Sequence, residues 1–215
     1  MRETSSGSGT ARGRSPMGRV YRKAGRLGRR STCAMALALV GLGCPVREPP
    51  PADPARLARA ESVLDAFYAW DPVALDAGLG DAEGADAMGY YQAWAEAAHY
   101  EVLERRPCVP SSANAMTCAV TVRDDFGTAL GYTATDTFRF RFEEDALVGV
   151  EFEGDDPPIF TMLFVWMGFD RGEVFDDACA DLFDGGETPA ACAREVAAAA
   201  RAFRAWWPFE LGDGD

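Results

Sequence analysis

The chain has 215 residues, enough for one domain with a sizeable core and a leader in front of it. Its formal net charge of −13 is unevenly spread: residues 1–43 carry nine bases and one acid, and the remainder carries twelve arginines and 33 acids. A body that acidic repels phosphate backbones and argues against a nucleic-acid partner.

Residues 1–30 are basic, rich in Gly and Ser, and show no hydrophobic period. Cys33 to Gly43 is then an uninterrupted run of small apolar residues. It is shorter than the ~20 residues that cross a bilayer and suits a signal-peptide core. The run ends at Gly43-Cys44, and a proline-rich stretch over 45–54 follows as a stiff tether. This order resembles a bacterial lipoprotein signal, which implies lipidation at Cys44 as the new N-terminus. It departs from that pattern at Gly41, where such signals usually carry Leu. A plain secretory signal cut nearby, or a start at Met17, remains the alternative. The expectation is an exported protein of the periplasm or cell envelope, touching the membrane only through a lipid anchor.

The body starts with two helix signals of the same kind. Asp53-Pro54 and Asp71-Pro72 each place an N-cap acid before a proline at the first helical position. Leu57, Ala60, Leu64 and Phe67 then form one apolar stripe reaching to Trp70. The second helix is short and predicted to stop at Gly78. Residues 79–89 read as an acidic, glycine-rich loop, and helix resumes at Tyr90 with Tyr90, Trp94 and Ala97 or Ala98 on one side.

Four strands follow between His99 and Glu153. Phe138, Phe140 and Phe142 alternate with Arg139, Arg141 and Glu143, the period of a strand with one buried and one wet face. The first hairpin turns over residues 109–115. If Cys108 faces Cys118, Val102 lies opposite Asp124 and Arg106 opposite Val120. Residues 124–131 read as one capped helical turn ending at Gly131. The second hairpin turns at Glu143 to Ala146, with Phe142, Phe140 and Phe138 opposite Val148, Val150 and Phe152, all on one face. The apolar stretch from Pro157 to Asp170 fits a buried helix or a fifth strand, with helix preferred. A polar helix is predicted from Glu173, ended by Gly185-Gly186. A last helix capped by Thr188-Pro189 runs to Trp206 or Trp207.

Outside the leader and Cys44, four cysteines remain in an exported body, where pairing is expected. The hairpin favours Cys108 with Cys118, which leaves Cys179 with Cys192. No C-x-x-C spacing exists and His99 is the sole histidine, so a metal site is disfavoured and nothing calls for a cofactor.

Two helices and an aromatic-rich third (YYQAWAEAAHY), then the cysteine-flanked PCVPSSANAMTC and DDFGTALG leading into FRFRFEEDALVGVEFE, resemble the nuclear transport factor 2-like superfamily. That superfamily includes the SnoaL-like cyclases, and the closest likeness is to an exported bacterial branch of unassigned activity. The resemblance covers 55–169 and leaves 170–215 as a C-terminal helical appendix. It implies an α+β fold: a cone of curved antiparallel sheet covered by N-terminal helices, with a pocket inside. In enzymes of the superfamily an Asp or His in that pocket acts as general base.

Asp136 shares strand parity with the phenylalanines and is expected to face the apolar side. A buried carboxylate is costly unless paired, and its pKa rises, which is one way a general acid or base is made. The bland alternative is a structural cap or ion pair at the strand's start. His99, at a helix–strand junction, is a second catalytic candidate if it faces the pocket. Tyr90, Tyr91, Trp94, Tyr100, Phe138 and Phe140 are the candidate pocket wall, or plain core. Ser62, Ser111 and Ser112 lie in no nucleophile motif. Paired acids such as Asp155-Asp156 read as solvated turns. The sequence thus points to a module binding a small apolar ligand or a protein partner. The alternative is an isomerase, cyclase or dehydratase using Asp136. A homodimer through the outer sheet face is a further option.

Overall fold

The computed structural model describes residues 53–182 and 188–207. Both Asp-Pro signals start helices. The Asp53 carboxylate accepts from the backbone N–H groups of Ala55 and Arg56 at the head of α1 (Pro54–Tyr68), and Asp71 caps α2 (Pro72–Leu79) in the same way. The second helix does not stop at Gly78. It ends at Gly80, whose φ of 56° closes the last turn. Gly78 is instead a packing residue: a Cβ there would sit 3.1 Å from the Val63 Cγ2 on α1.

The third helix, α3 (Ala85–Ala97), begins before the expected Tyr90. The loop ahead of it is anchored to the sheet, which fixes its geometry early. Glu83 donates its N–H to Val148 and accepts from that of Val150, forming a parallel bridge to the edge of β5. Gly84, at φ 90°, passes so close to that strand that a Cβ would meet the Val150 carbonyl oxygen at 2.2 Å.

The sheet has five strands: β1 (Glu101–Arg105), β2 (Val109–Ser112), β3 (Ala115–Arg123), β4 (Ala134–Glu143) and β5 (Ala146–Gly154). Its antiparallel path runs β1-β3-β4-β5, with β2 following β1 along the same edge of β3, and the sheet is curved and unclosed. The first hairpin departs from the symmetric register. Val102 lies opposite Val122, and Arg105 rather than Arg106 opposite Val120. The reason is that the edge strand is interrupted before Cys108 and irregular on both sides of the break, so the pairing slips. The turn itself is only Ala113-Asn114.

In the second hairpin Phe138 faces Phe152 and Phe140 faces Val150, as the alternation requires. A bulge between Arg141 and Phe142 then sets Phe142 against Leu147 instead of Val148, so Leu147 joins the core. Gly149, opposite Arg141, leaves room for that arginine, whose Nη2 would lie 2.4 Å from a Cβ.

Asp124 caps the short α4 (Asp125–Leu130), which ends at Gly131 in the left-handed region. The apolar stretch after the double proline is a helix, α5 (Pro158–Asp170). Only Ile159, Leu163 and Met167 are buried in it, the one-face spacing of a helix lying on a surface. The expected polar helix is reduced to α6 (Gly172–Asp176) followed by turns, in which Cys179 is joined to Cys192. Gly185-Gly186 lie outside the described residues. The last helix is α7 (Pro189–Trp206). Thr188 does not cap it with its side chain; its hydroxyl donates to the Ala178 carbonyl at 2.7 Å. Both expected disulfides, Cys108–Cys118 and Cys179–Cys192, are present.

Two cores result. One lies between α1–α3 and the inner sheet face, built on Leu64, Phe67, Met88, Phe138, Phe140 and Phe142. The other lies where the opposite side of α3 meets α4, α5 and α7, built on Trp94, Phe126, Leu163, Met167, Val196 and Phe203. The C-terminal segment is thus packed into the body. Tyr100 packs against both cores and marks their seam. Among the described residues, no helix is long and apolar enough to cross a membrane.

Candidate functional site

Asp136 sits near the start of β4, paired with Val120 on one side and Gly154 on the other. Strand parity points it inward with the phenylalanines, and it is only 2% exposed. The Tyr68 hydroxyl, delivered by the last turn of α1, donates to its Oδ2 at 2.7 Å. Burial pushes the Asp136 carboxyl up to about 7, the neighbouring charges of Asp156 and Asp155 add to the rise, and the Tyr68 hydrogen bond opposes it. Burial, and then the Asp136 charge, raise the Tyr68 hydroxyl far above its ordinary range.

A cavity of about 260 Å³ opens beside Asp136, at the seam of the two cores. Tyr90, Tyr91 and Trp94 of α3 form one wall, with Tyr100 at its base. Phe152 of β5 and Phe160 and Phe164 of α5 form the other. Tyr91 lies across Phe152 with ring centroids 4.6 Å apart. Five candidate residues from the sequence therefore meet here: Asp136, Tyr90, Tyr91, Trp94 and Tyr100. Phe138 and Phe140 do not line this cavity. Both are fully buried in the sheet-side core, stacked on each other at 6.3 Å.

His99 does not line it either. The residue adopts a left-handed backbone, φ 54°, and its side chain is 75% exposed. Its Nδ1 lies 3.0 Å from the Asp125 carboxylate, outside the cavity. Ser62, Ser111 and Ser112 are exposed and lie elsewhere.

Asp156 is a site residue that reading the acid pair as a solvated turn missed. It lines the cavity mouth, and the Tyr132 hydroxyl donates to its Oδ1 at 3.2 Å. Partial burial raises its pKa, Asp155 adds to the rise and the Tyr132 bond opposes it. The signal was in the register: with Phe138 opposite Phe152, Asp136 falls opposite Gly154, and Asp156 follows two residues on. Asp124 stands behind this pair. It is buried, accepts from the Gly127 N–H at 2.5 Å, and is pushed up to about 8 by burial, with Asp156 and Asp136 contributing. Tyr100 is raised well above its usual value, first by burial and then by the same three aspartates.

The two tyrosine hydroxyls occupy one oxygen of each carboxylate and leave the other. Those remaining oxygens, Asp136 Oδ1 and Asp156 Oδ2, converge: both lie within 4 Å of where a Cβ on Gly154 would stand. Among the described residues, no cluster of three or more histidine, cysteine or acidic side chains is arranged to hold a metal ion. A larger groove, about 850 Å³, lies between α2 and α3. Both are about half open to solvent, but this one is acidic, with no aromatic wall and no buried charge.

No protein-family model, no curated protein and no solved structure matches this chain. Its function is read from the site alone.

Proposed function

We propose that this protein is a small-ligand-binding module whose ligand sits in the aromatic cavity between the two cores. The observation that carries this is the joining, in one half-open cavity, of seven aromatic side chains and a buried carboxylate. Apolar walls with a few converging polar groups are the usual make-up of ligand sites. The order of helices and the curved sheet support a nuclear transport factor 2-like cone. The leader, together with two disulfides compatible with an oxidising compartment, supports an exported protein of the cell envelope, tethered through Cys44. The test is a panel of small aromatic molecules followed by intrinsic fluorescence and thermal shift. Saturable binding that disappears in Leu182→Trp, which fills the cavity, is the expected result. Binding unchanged in that variant overturns the assignment.

A second reading has its own support. The Asp136 carboxyl, held near neutrality and positioned by Tyr68, suits a general acid or base of an isomerase, cyclase or dehydratase. Deuterium exchange at the α-carbon of small cyclic ketones tests it. Exchange catalysed by the protein and lost in Asp136→Asn supports the enzyme; equal exchange in both proteins removes it.

A further inference from the structure

Resting on the ligand-binding reading, we infer that the cavity is built for a small organic cation, a protonated or quaternary amine. The charge sits between the free oxygens of Asp136 and Asp156, and the organic part lies on the aromatic walls.

Three observations converge on this. Each carboxylate already has one oxygen fixed by a tyrosine hydroxyl, Tyr68 on Asp136 and Tyr132 on Asp156. That fixes both groups in orientation, and their other oxygens approach one point beside Gly154. Second, the lining contains no lysine, arginine or histidine to neutralise them. The nearest cation in sequence, Arg139, is already engaged: its Nη1 donates at 2.7 Å to Glu153, the third carboxylate of the lining, and not to Asp136 or Asp156. Asp136 is a buried carboxylate with a second carboxylate, Asp156, at the mouth beside it, and without a counter-charge in the lining the buried one is unfavourable unless a cation arrives from outside. Third, the walls are aromatic side chains from α3, β5 and α5. Aromatic faces attract cations through the ring quadrupole, most strongly when water is excluded.

The alternatives fit less well. An anion would meet carboxylates and no cationic side chain in the lining. A hard metal ion takes six or more oxygen ligands, and two carboxylate oxygens beside phenyl rings do not supply them. A neutral apolar ligand would leave both charges facing it. The volume of about 260 Å³ limits the ligand to something of the size of choline or phenethylamine. The strongly acidic body also concentrates cations at the mouth.

The experiment is calorimetric titration of the full chain at pH 8 with choline and with phenethylamine. Each is paired with a neutral counterpart of the same shape, 3,3-dimethylbutanol and 2-phenylethanol. At least one cation should bind tenfold or more tightly than its neutral counterpart. Asp136→Asn and, separately, Asp156→Asn should each weaken that cation tenfold or more, and weaken it more than the neutral molecule. Asp156 is at the exposed mouth, so its variant keeps the test alive if the buried one misfolds. Equal binding of cation and neutral counterpart overturns the cation assignment and leaves the ligand site standing. Binding of neither class overturns both.

Discussion

The two cores of this protein are made by different means. The sheet-side core is a ladder. Phe138, Phe140 and Phe142 stand at every second position of β4, and α1 lays Leu64 and Phe67 over them. Large side chains of fixed register interlock there, with Phe67 edge-on to Phe138 at 5.3 Å. The helical core is a close approach of backbones. α7 buries Ala193, Ala197, Ala199 and Ala200 along with Val196 and Phe203, and small side chains let it lie near α3 and α4. Each core has one disulfide beside it, Cys108–Cys118 on the sheet side and Cys179–Cys192 on the helical side. The lesson is where the cavity falls: between a layer that packs by interlocking rings and one that packs by backbone proximity, where neither filling reaches.

That contrast can be broken most forcibly at the ladder. Phe138→Ala should cost about 3–5 kcal/mol, the range for removing a fully buried ring, measured by urea unfolding. The same measurement on Ala197→Gly in α7 should lose about 1 kcal/mol, from helix propensity. Equal losses would mean the two cores are not built differently.

The disulfides come next. Their sequence separations of 10 and 13 residues correspond to about 2.5–3 kcal/mol each in the chain-entropy description. Cys179→Ser with Cys192→Ser should lower the unfolding midpoint accordingly, and the Cys108/Cys118 double variant should match it. A much larger loss on one side would show that bridge to be folding that core rather than stapling it.

The seam should reveal itself by pH. Asp136 has its folded pKa raised to about 7 from an ordinary value of 3.8, so the folded protein binds the extra proton between those values. Its contribution to stability is then full below about pH 4 and is lost as pH rises through 7. Between pH 5 and 7 the loss from this group should be roughly 2 kcal/mol, from about 1.4 kcal/mol per unit of differential protonation. Asp136→Asn should flatten that part of the stability curve, leaving a slope from Asp124, whose carboxyl burial pushes up to about 8. An unchanged curve in the variant would place the carboxyl in water. The smallest effect belongs to the periphery: Asp53→Ala removes the α1 cap and should cost about 1 kcal/mol without altering the pH slope.

Much of the ladder is legible in the sequence. Alternation is a local property, and Phe138, Phe140 and Asp136 point inward for that reason alone. The cysteine pairs followed from the hairpin and from elimination. The bulge at Phe142 and the slip before Cys108 were not readable, because they depend on which residue the partner strand has room for: Gly149 against Arg141 is a tertiary match. Assigning Phe138 and Phe140 to a pocket wall failed for a related reason. Inward on a sheet means only toward the helices, and α1 fills that space. His99 was misplaced because its left-handed backbone turns it outward, which composition does not announce. The cavity's far wall, Phe160 and Phe164, needed the fold of α5, whose apolar run carried no period of its own.

The bridge from Glu83 to β5 reaches beyond the loop that makes it. An unclosed sheet leaves two rims of unpaired N–H and C=O groups, each a template for a stray strand. Glu83 occupies positions on one rim with the chain's own backbone. Along the other, Pro107 and Pro110 remove donors, and a break interrupts the edge. Lateral growth by strand addition is hindered on both flanks, so the sheet can remain open without recruiting its neighbours.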